Sequence, residues 1–401
     1  MPRNKPLVLL SAGHACVDVY QGAVAAMVPF FVAERAYTYA AASGLVLAAS
    51  LLSSVAQPFF GALTDRRPLP WLLPVSTVLG GLGVALSGVS GSYPLTLLCV
   101  ALSGLGTAAY HPESARVARV ASQGSHRSMG WFSLGGTLGF AAAPLLVAGV
   151  VATGGLRLSP LLVLPALVGS VLTLPVLRAL RTLGRAPSVS GGKLAGEGRN
   201  DWVSFVRLSL AVVCRSVAFV GMSTFVAFHV REQTGGGTAA GTAALFVLYL
   251  GGAVGTVVGS GLAHRWDRVT VVSTSYLLTA WAVAGVVFVP GPAVYGFVAL
   301  TSIGLYVPFS LQVTLAQDYL PTRVGTASGI TLGLMVSVGG LASPVIGGIA
   351  DATSLRTALT PLIVMPALSW LLVRALPEPA VPGPLRGERA EEVRSAERSG
   401  L

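Results

Sequence analysis

A carboxylate at Asp18, an imidazole four residues earlier at His14 and an amide three residues later at Gln21 share one face if their segment is helical. Groups of these types can bind and release a proton. A second constellation, Tyr110-His111-Pro112-Glu113, sets another imidazole beside another carboxylate, with Arg116 three residues beyond Glu113. His111 and Glu113 could carry protons too; the alternative for Glu113 is an ion pair with Arg116 or with the following loop. Arg215 is a cation in the middle of an apolar run, suited to holding an anion. No nucleophile elbow, phosphate-cradling loop or Walker sequence accompanies these groups, so neither an enzyme nor an ATP-driven machine is indicated. An ion gradient is left as the energy source, and no cofactor is implied. Cys16, Cys99 and Cys214 have unrelated spacing and suggest neither a disulfide framework nor a metal motif.

The segments that carry these groups are membrane spans. Hydrophobic residues make up 53% of the chain and charged residues 10%, against roughly 25% charged in an average soluble domain. Twelve apolar runs are long enough to cross a hydrocarbon core of roughly 30 Å as helices: Leu7 to Ala33, Tyr39 to Gly61, Trp71 to Val89, Tyr93 to Val117, Ser128 to Val151, Ser159 to Leu177, Val203 to Val230, Ala239 to Ala263, Val269 to Val289, Ala293 to Leu315, Gly325 to Ala350 and Leu359 to Leu376. They lack the alternating polarity of barrel strands. Asp18 lies mid-span, where an ionised carboxylate costs about 2.5–3.5 kcal/mol on the insertion scale. It must therefore face protein or water.

The chain is also a duplication. Tyr110-His-Pro-Glu-Ser114 returns as Tyr306-Val-Pro-Phe-Ser310 nearly half the chain later, and Gly130, Pro144 and the turn at Gly61 recur as Gly329, Pro344 and the turn at Gly261. The same offset makes Arg215 the counterpart of Asp18. An approximate two-fold axis would set these charges opposite each other across a central cavity, where they pair; otherwise each pairs with polar groups on its neighbouring helices. Pro112 and Pro308 each remove a backbone donor, which is tolerated where neighbours or water satisfy the freed carbonyl. Tyr306 and Gln312 offer aromatic and polar surface in span ten, while Asp318 is expected near Arg323 at the inner end. Gly135, Gly139, Gly333 and Gly340 are expected to let backbones approach closely.

Most of the 26 Lys and Arg residues fall on one side of this topology, leaving Arg35, Arg157, Arg231 and Arg356 on the other and Arg207 and Arg215 within span seven. The positive-inside rule then places both termini in the cytoplasm. The net charge of +11 is explained by that distribution and by anionic lipid, so nucleic-acid binding is not indicated. The first apolar run is too long for a cleavable signal and reads as a span. Residues 1–178 form one expected six-helix unit and 203–376 a second, joined by a cytoplasmic linker at 179–202 and followed by a disordered tail at 377–401.

Two repeated six-span units, a long inner linker and the turn Gly61-Ala-Leu-Thr-Asp65-Arg66-Arg67 resemble the major facilitator superfamily. His111 to Ser122, Gly135 to Leu146 and Leu320 to Asp351 are similar to its fosmidomycin-resistance-like efflux branch. The resemblance implies an all-α membrane protein of two pseudo-symmetric six-helix bundles, with spans one, four, seven and ten lining a cavity. It implies that the turn at Asp65 and Arg66 governs closure of the cytoplasmic side, with Pro112 and Pro308 as further gating positions. It also implies proton-coupled efflux of a small drug or metabolite from a bacterial plasma (inner) membrane. Asp18, His14, Glu113 and His111 are then the candidates for proton coupling, and Arg215, Gln21, Tyr110, Tyr306 and Gln312 those for substrate binding. The alternative is a proton-coupled importer of a small organic anion or nutrient. Expected partners are a small-molecule substrate, protons and lipid, and the chain is expected to be monomeric. His264 stands where the second copy of the turn would carry Asp, and Ala143-Pro144 replaces the Gly-Pro of the antiporter-associated motif in span five.

Overall fold

A computed structural model describes residues 5–67, 69–122, 126–182, 199–263 and 265–379. The first half comprises α1 (Lys5–Arg35), α2 (Tyr39–Arg66), α3 (Leu72–Ser87), α4 (Tyr93–Ser122), α5 (His126–Gly154) and, after a 3-10 turn, α6 (Leu164–Thr182). The second comprises α7 (Trp202–Thr234), α8 (Gly237–Leu262), α9 (Arg268–Phe288), a span divided into α10 (Val294–Tyr306) and α11 (Pro308–Tyr319), α12 (Val324–Ala352), and a last span built from α13 (Leu355–Leu359), a 3-10 turn and α14 (Val364–Val373). Eleven described helical stretches are long and apolar enough to span a bilayer, and α3 is a shorter apolar twelfth. Helices are the expected solution because each satisfies its backbone groups without water. The protein is an all-α membrane protein.

Glycines allow the helices to touch. Methyl groups at Gly135 and Gly139 on α5 would run into the backbone of Ser11 and Ala15 on α1, so these two helices pack backbone to backbone. The second half repeats the contact between α12 and α7, where the N–H of Gly339 donates to Ser216 Oγ at 3.0 Å. Gly340 faces Ser50 of the other half.

The apolar cores divide the molecule unevenly. One cluster crosses both halves, including Met27, Phe31 and Leu45 of the first and Phe225, Leu248 and Leu359 of the second. At the end of the helices that bears the termini, the cores are separate. Leu10, Leu73, Tyr110 and Val176 belong to the first half alone, and Phe205, Tyr276, Leu315 and Val373 to the second. The halves are thus joined away from the termini and not through a shared core near them. Polar latching reinforces the join, because the Asp351 carboxylate at the end of α12 accepts the backbone N–H groups of Tyr39 and Ala40 at 2.8 and 2.9 Å. Those donors are unpaired by the helix itself at the start of α2, and the helix dipole favours a negative partner there. Tyr39 also packs its ring against Phe228 at 4.9 Å.

Outward faces carry exposed apolar side chains such as Phe59, Val171, Val257 and Leu278, and exposed Trp71, Trp131, Trp202 and Trp266 collect near the terminal end. That is the expected dress of a lipid-facing surface with an interfacial tryptophan belt.

Several expectations require correction. Pro112 sits inside an uninterrupted α4, whereas Pro308 does divide its span. Asp318 pairs with Arg268 at 2.6 Å rather than lying beside Arg323, whose guanidinium stacks over Trp202. Glu378 belongs to this same anchor, not to a loose tail: it takes Arg268 Nε at 2.7 Å and the backbone N–H of Val269 at 2.9 Å, while Tyr319 donates to the carbonyl of Pro377. A buried-side cation and a free helix start together fix the beginning of the expected tail. The linker also ends in order, with Asp201 capping α7 through Ser204 N at 3.0 Å and donating its own N–H to Tyr319 O at 2.7 Å. At its start the linker continues α6 to Thr182, while residues 183–198, the tail beyond residue 379 and His264 lie outside the described residues.

Candidate functional site

Helices α1, α4 and α5 assemble a compact polar cluster in the first half. Asp18 places one carboxylate oxygen 3.3 Å from His14 Nε2 and the other 3.0 Å from His111 Nε2. The two imidazoles are held by their other nitrogens. His14 Nδ1 faces the carbonyl of Phe132 at 3.0 Å, and His111 Nδ1 faces the carbonyl of Thr107 at 2.6 Å. A carbonyl only accepts, so each Nδ1 carries the hydrogen and each Nε2 is turned toward Asp18. The His14 ring also stacks on Phe132 at 4.3 Å. Gln21 completes the cluster, its amide nitrogen lying 3.4 Å from Asp18 and 3.3 Å from His111 Nε2.

Room for the cluster depends on Gly136. A methyl group there would fall 2.6 Å from His14 Cε1 and 2.7 Å from Nε2, and nearer still to Asp18 Oδ2. Gln21 is exposed, and the side chains of Asp18 and His111 keep 14% and 23% of their surface open. Polar groups left accessible at mid-span are tolerated in a membrane where they face protein or water rather than lipid.

The second half contributes a different device. Arg215 is buried and donates Nε to the carbonyl of Leu305 at 2.6 Å. Its guanidinium carbon lies 5.3 Å from the ring of Phe309, 5.4 Å from Tyr306 and 6.0 Å from Phe219, within the range of cation–π attraction. Local chain geometry creates this perch. Pro308 has no N–H for Gly304 O, which instead accepts Ser275 Oγ at 2.8 Å, and the next carbonyl takes Arg215. In the first half the equivalent stretch before Pro112 supplies the carbonyl that orients His111.

The direct Asp18–Arg215 pair expected from the duplication does not form. Each charge is satisfied within its own half, Asp18 by two imidazoles and Arg215 by a carbonyl and aromatic faces. The structure therefore gathers Asp18, His14, His111 and Gln21 in one place and Arg215 with Tyr306 in another. Glu113 joins neither; it is fully buried and forked onto Arg116, which is the ion pair kept open as its alternative. Tyr110 is buried behind His14. Gln312 is buried too and donates to Tyr276 Oη at 2.7 Å, away from the open chamber surface. Asp65 and Arg66 belong to the last turn of α2, and their side chains lie outside the described residues. Gly136, Phe219, Phe309 and Asp351 were not singled out in the sequence. Gly136 stood within the repeated glycine string, but nothing local distinguished it from Gly135.

Repeated sets of membrane-spanning helices with a polar cluster held at mid-span are the make-up of a membrane transporter. The chain matches the family profile of the Major Facilitator Superfamily over residues 10–344 and belongs to that family. It is a multi-pass transporter, not an enzyme. It is 30% identical over 374 residues to the fosmidomycin resistance protein of Escherichia coli (strain K12), covering 91% of each chain. It is 28% identical over 374 residues to the MFS-type transporter YfnC of Bacillus subtilis (strain 168), again covering 91% of each. In fold it is similar to a bacterial homologue of the human lysosomal transporter Spinster in an inward-facing and occupied conformation, with TM-score 0.76, 15% identity and coverage of 94% of this chain and 98% of that one.

Proposed function

We propose that the protein is a proton-coupled exporter of a small drug or metabolite, working by alternating access. The observation that carries this reading is the Asp18–His14–His111–Gln21 cluster, which is competent in two protonation states. With a proton on His111 Nε2, that nitrogen donates to Asp18. Without it, the Gln21 amide has two hydrogens to offer, one to the Asp18 carboxylate and one to the bare Nε2. Because Asp18, His111 and Gln21 stay hydrogen-bonded to one another in both states, a proton can load and unload at His111 without leaving that nitrogen unpartnered. The relative's role in fosmidomycin resistance supports export.

The split cores support the motion. Halves that are welded at one end and separate at the other can rock about a midplane site, and the Asp351 latch must release when the welded end opens. Loop charge supports cytoplasmic termini, which makes the described conformation inward-open, in a bacterial plasma membrane. The turn at Asp65 and Arg66 acts on closure, Glu113 is held in its ion pair with Arg116, and the chain works as a monomer surrounded by lipid.

Arg215 favours a second reading of direction. A buried cation with no carboxylate beside it suits an anionic substrate, and an anion that enters together with a proton is imported. Both readings are tested by reconstituting the protein in liposomes with an imposed pH gradient and recording proton flux on adding fosmidomycin or small organic anions. Substrate-driven proton movement is expected, opposite to substrate for export and with it for import. Asp18→Asn should abolish that movement while the protein remains folded; unaltered coupled flux in this variant removes the assignment.

A further inference from the structure

We propose that His14, Asp18 and His111 form a binding site for a divalent first-row transition ion, with zinc the best-fitting. The inference rests on the same chamber-facing cluster but asks something different of it. One ligand atom from each residue lies within 4.8 Å of the others. Two ligands about 2.0–2.1 Å from zinc at the tetrahedral angle stand about 3.3 Å apart; the two nitrogen–oxygen separations are 3.3 and 3.0 Å. Each imidazole faces a different oxygen of Asp18, so a small turn of the carboxylate and a closing of the three ligand atoms from their 4.8 Å spread would bring them around one ion.

Three further features point the same way. Metal-binding imidazoles usually donate their second nitrogen to a carbonyl or carboxylate, which fixes tautomer and aim. Both imidazoles here do so, to Phe132 and Thr107. His14 is only 8% exposed, yet its Nε2 has no hydrogen-bond partner, so a buried lone pair is directed into the cluster without an occupant. Gly136 keeps the adjoining space clear, since any side chain there would land on His14 and Asp18. Three protein ligands, two nitrogen and one oxygen, leave a fourth position toward the chamber for water or a substrate group.

The test uses full-length purified protein, with its affinity tag removed and stripped by chelator, titrated with zinc chloride by calorimetry and with cobalt(II) by visible absorption. One ion per chain is expected, with the cobalt spectrum of a four- or five-coordinate site. His14→Ala, His111→Ala and Asp18→Asn should each weaken binding by more than the roughly 100-fold that loss of an outer-shell partner costs. His229→Ala, in the other half, should leave it unchanged. If an alanine variant fails to fold, the near-isosteric Asp18→Asn carries the comparison. Absence of stoichiometric binding at about 1 mM ion, or affinity that none of the three substitutions moves, overturns the inference. Proton flux in metal-free liposomes is measured in parallel: loss of zinc binding alone leaves the transport reading standing, and triad-independent flux removes that reading alone.

Discussion

Gly136→Ala separates the working surface of the chamber from the packing beneath it. The added carbon would sit 2.6 and 2.7 Å from two atoms of the His14 ring, where ordinary contact begins at about 3.4 Å. The ring must therefore yield by roughly 0.7 Å, and Asp18 by more. His14 has nowhere to retreat, because Nδ1 is tied to Phe132 O and the ring lies flat on Phe132. Overpacking of this kind costs about 1–3 kcal/mol, of which the better helix propensity of alanine offsets up to about 1 kcal/mol. The protein is therefore expected to fold, with a displaced His14–Asp18–His111 cluster. A loss of about 1.4 kcal/mol or more at the site corresponds to at least a tenfold fall in coupled flux. Gly139→Ala is the control: its methyl would meet Ala15 backbone, including Cα at 2.6 Å, so it should lower thermal stability more. The assay pairs pH-driven uptake into liposomes with thermal unfolding in detergent. Wild-type coupled flux in folded Gly136→Ala would refute the reasoning, as would a stability loss matching that of Gly139→Ala.

Arg215→Met removes a buried cation while keeping apolar bulk. Affinity for an anionic substrate should fall by about 10- to 100-fold, the worth of a charged hydrogen bond of about 1.5–3 kcal/mol, with a stability cost of about 1–3 kcal/mol at most for the Leu305 carbonyl that loses its donor, since the charge has no ionic partner to strand; unchanged affinity by equilibrium binding ends the case for an anion clamp. Asp351→Ala deletes a helix cap worth roughly 0.5–2 kcal/mol at the seam between the halves. It should widen spin-label distances between the start of α2 and the end of α12, and an unaltered distance distribution would show that the latch does not set the conformation.

The spans were legible because the bilayer demands long apolar helices, and the charges stood out because they are few. Asp18 and His14 were readable as one helical face. The role of His111 was not tied to Asp18, because that contact joins residues on α1 and α4 across a turn of tertiary structure that periodicity does not encode. The duplication placed Arg215 within one helical turn of the position equivalent to Asp18, but a repeat specifies equivalent places, not contact between them, and the two charges do not pair. Asp318 failed for a related reason. Arg323 was near in sequence, whereas Arg268 was brought near by helix packing, together with Glu378. Gly136 was hidden among glycines whose neighbours pack against backbone, and only the placement of His14 distinguishes it.

The division of the apolar interior has a mechanical consequence. Each bundle keeps a private interior near the termini that no rocking movement needs to disturb, so it can serve as a stiff lever through the whole cycle. Under the proposed rocking cycle, the work of reorientation is concentrated in a thin seam around Tyr39, Phe225 and Phe228, where contacts would be unmade and remade on every turnover. Substitutions deep in either lever should then change how well the chain survives heat, while substitutions along the seam should change how fast the carrier resets.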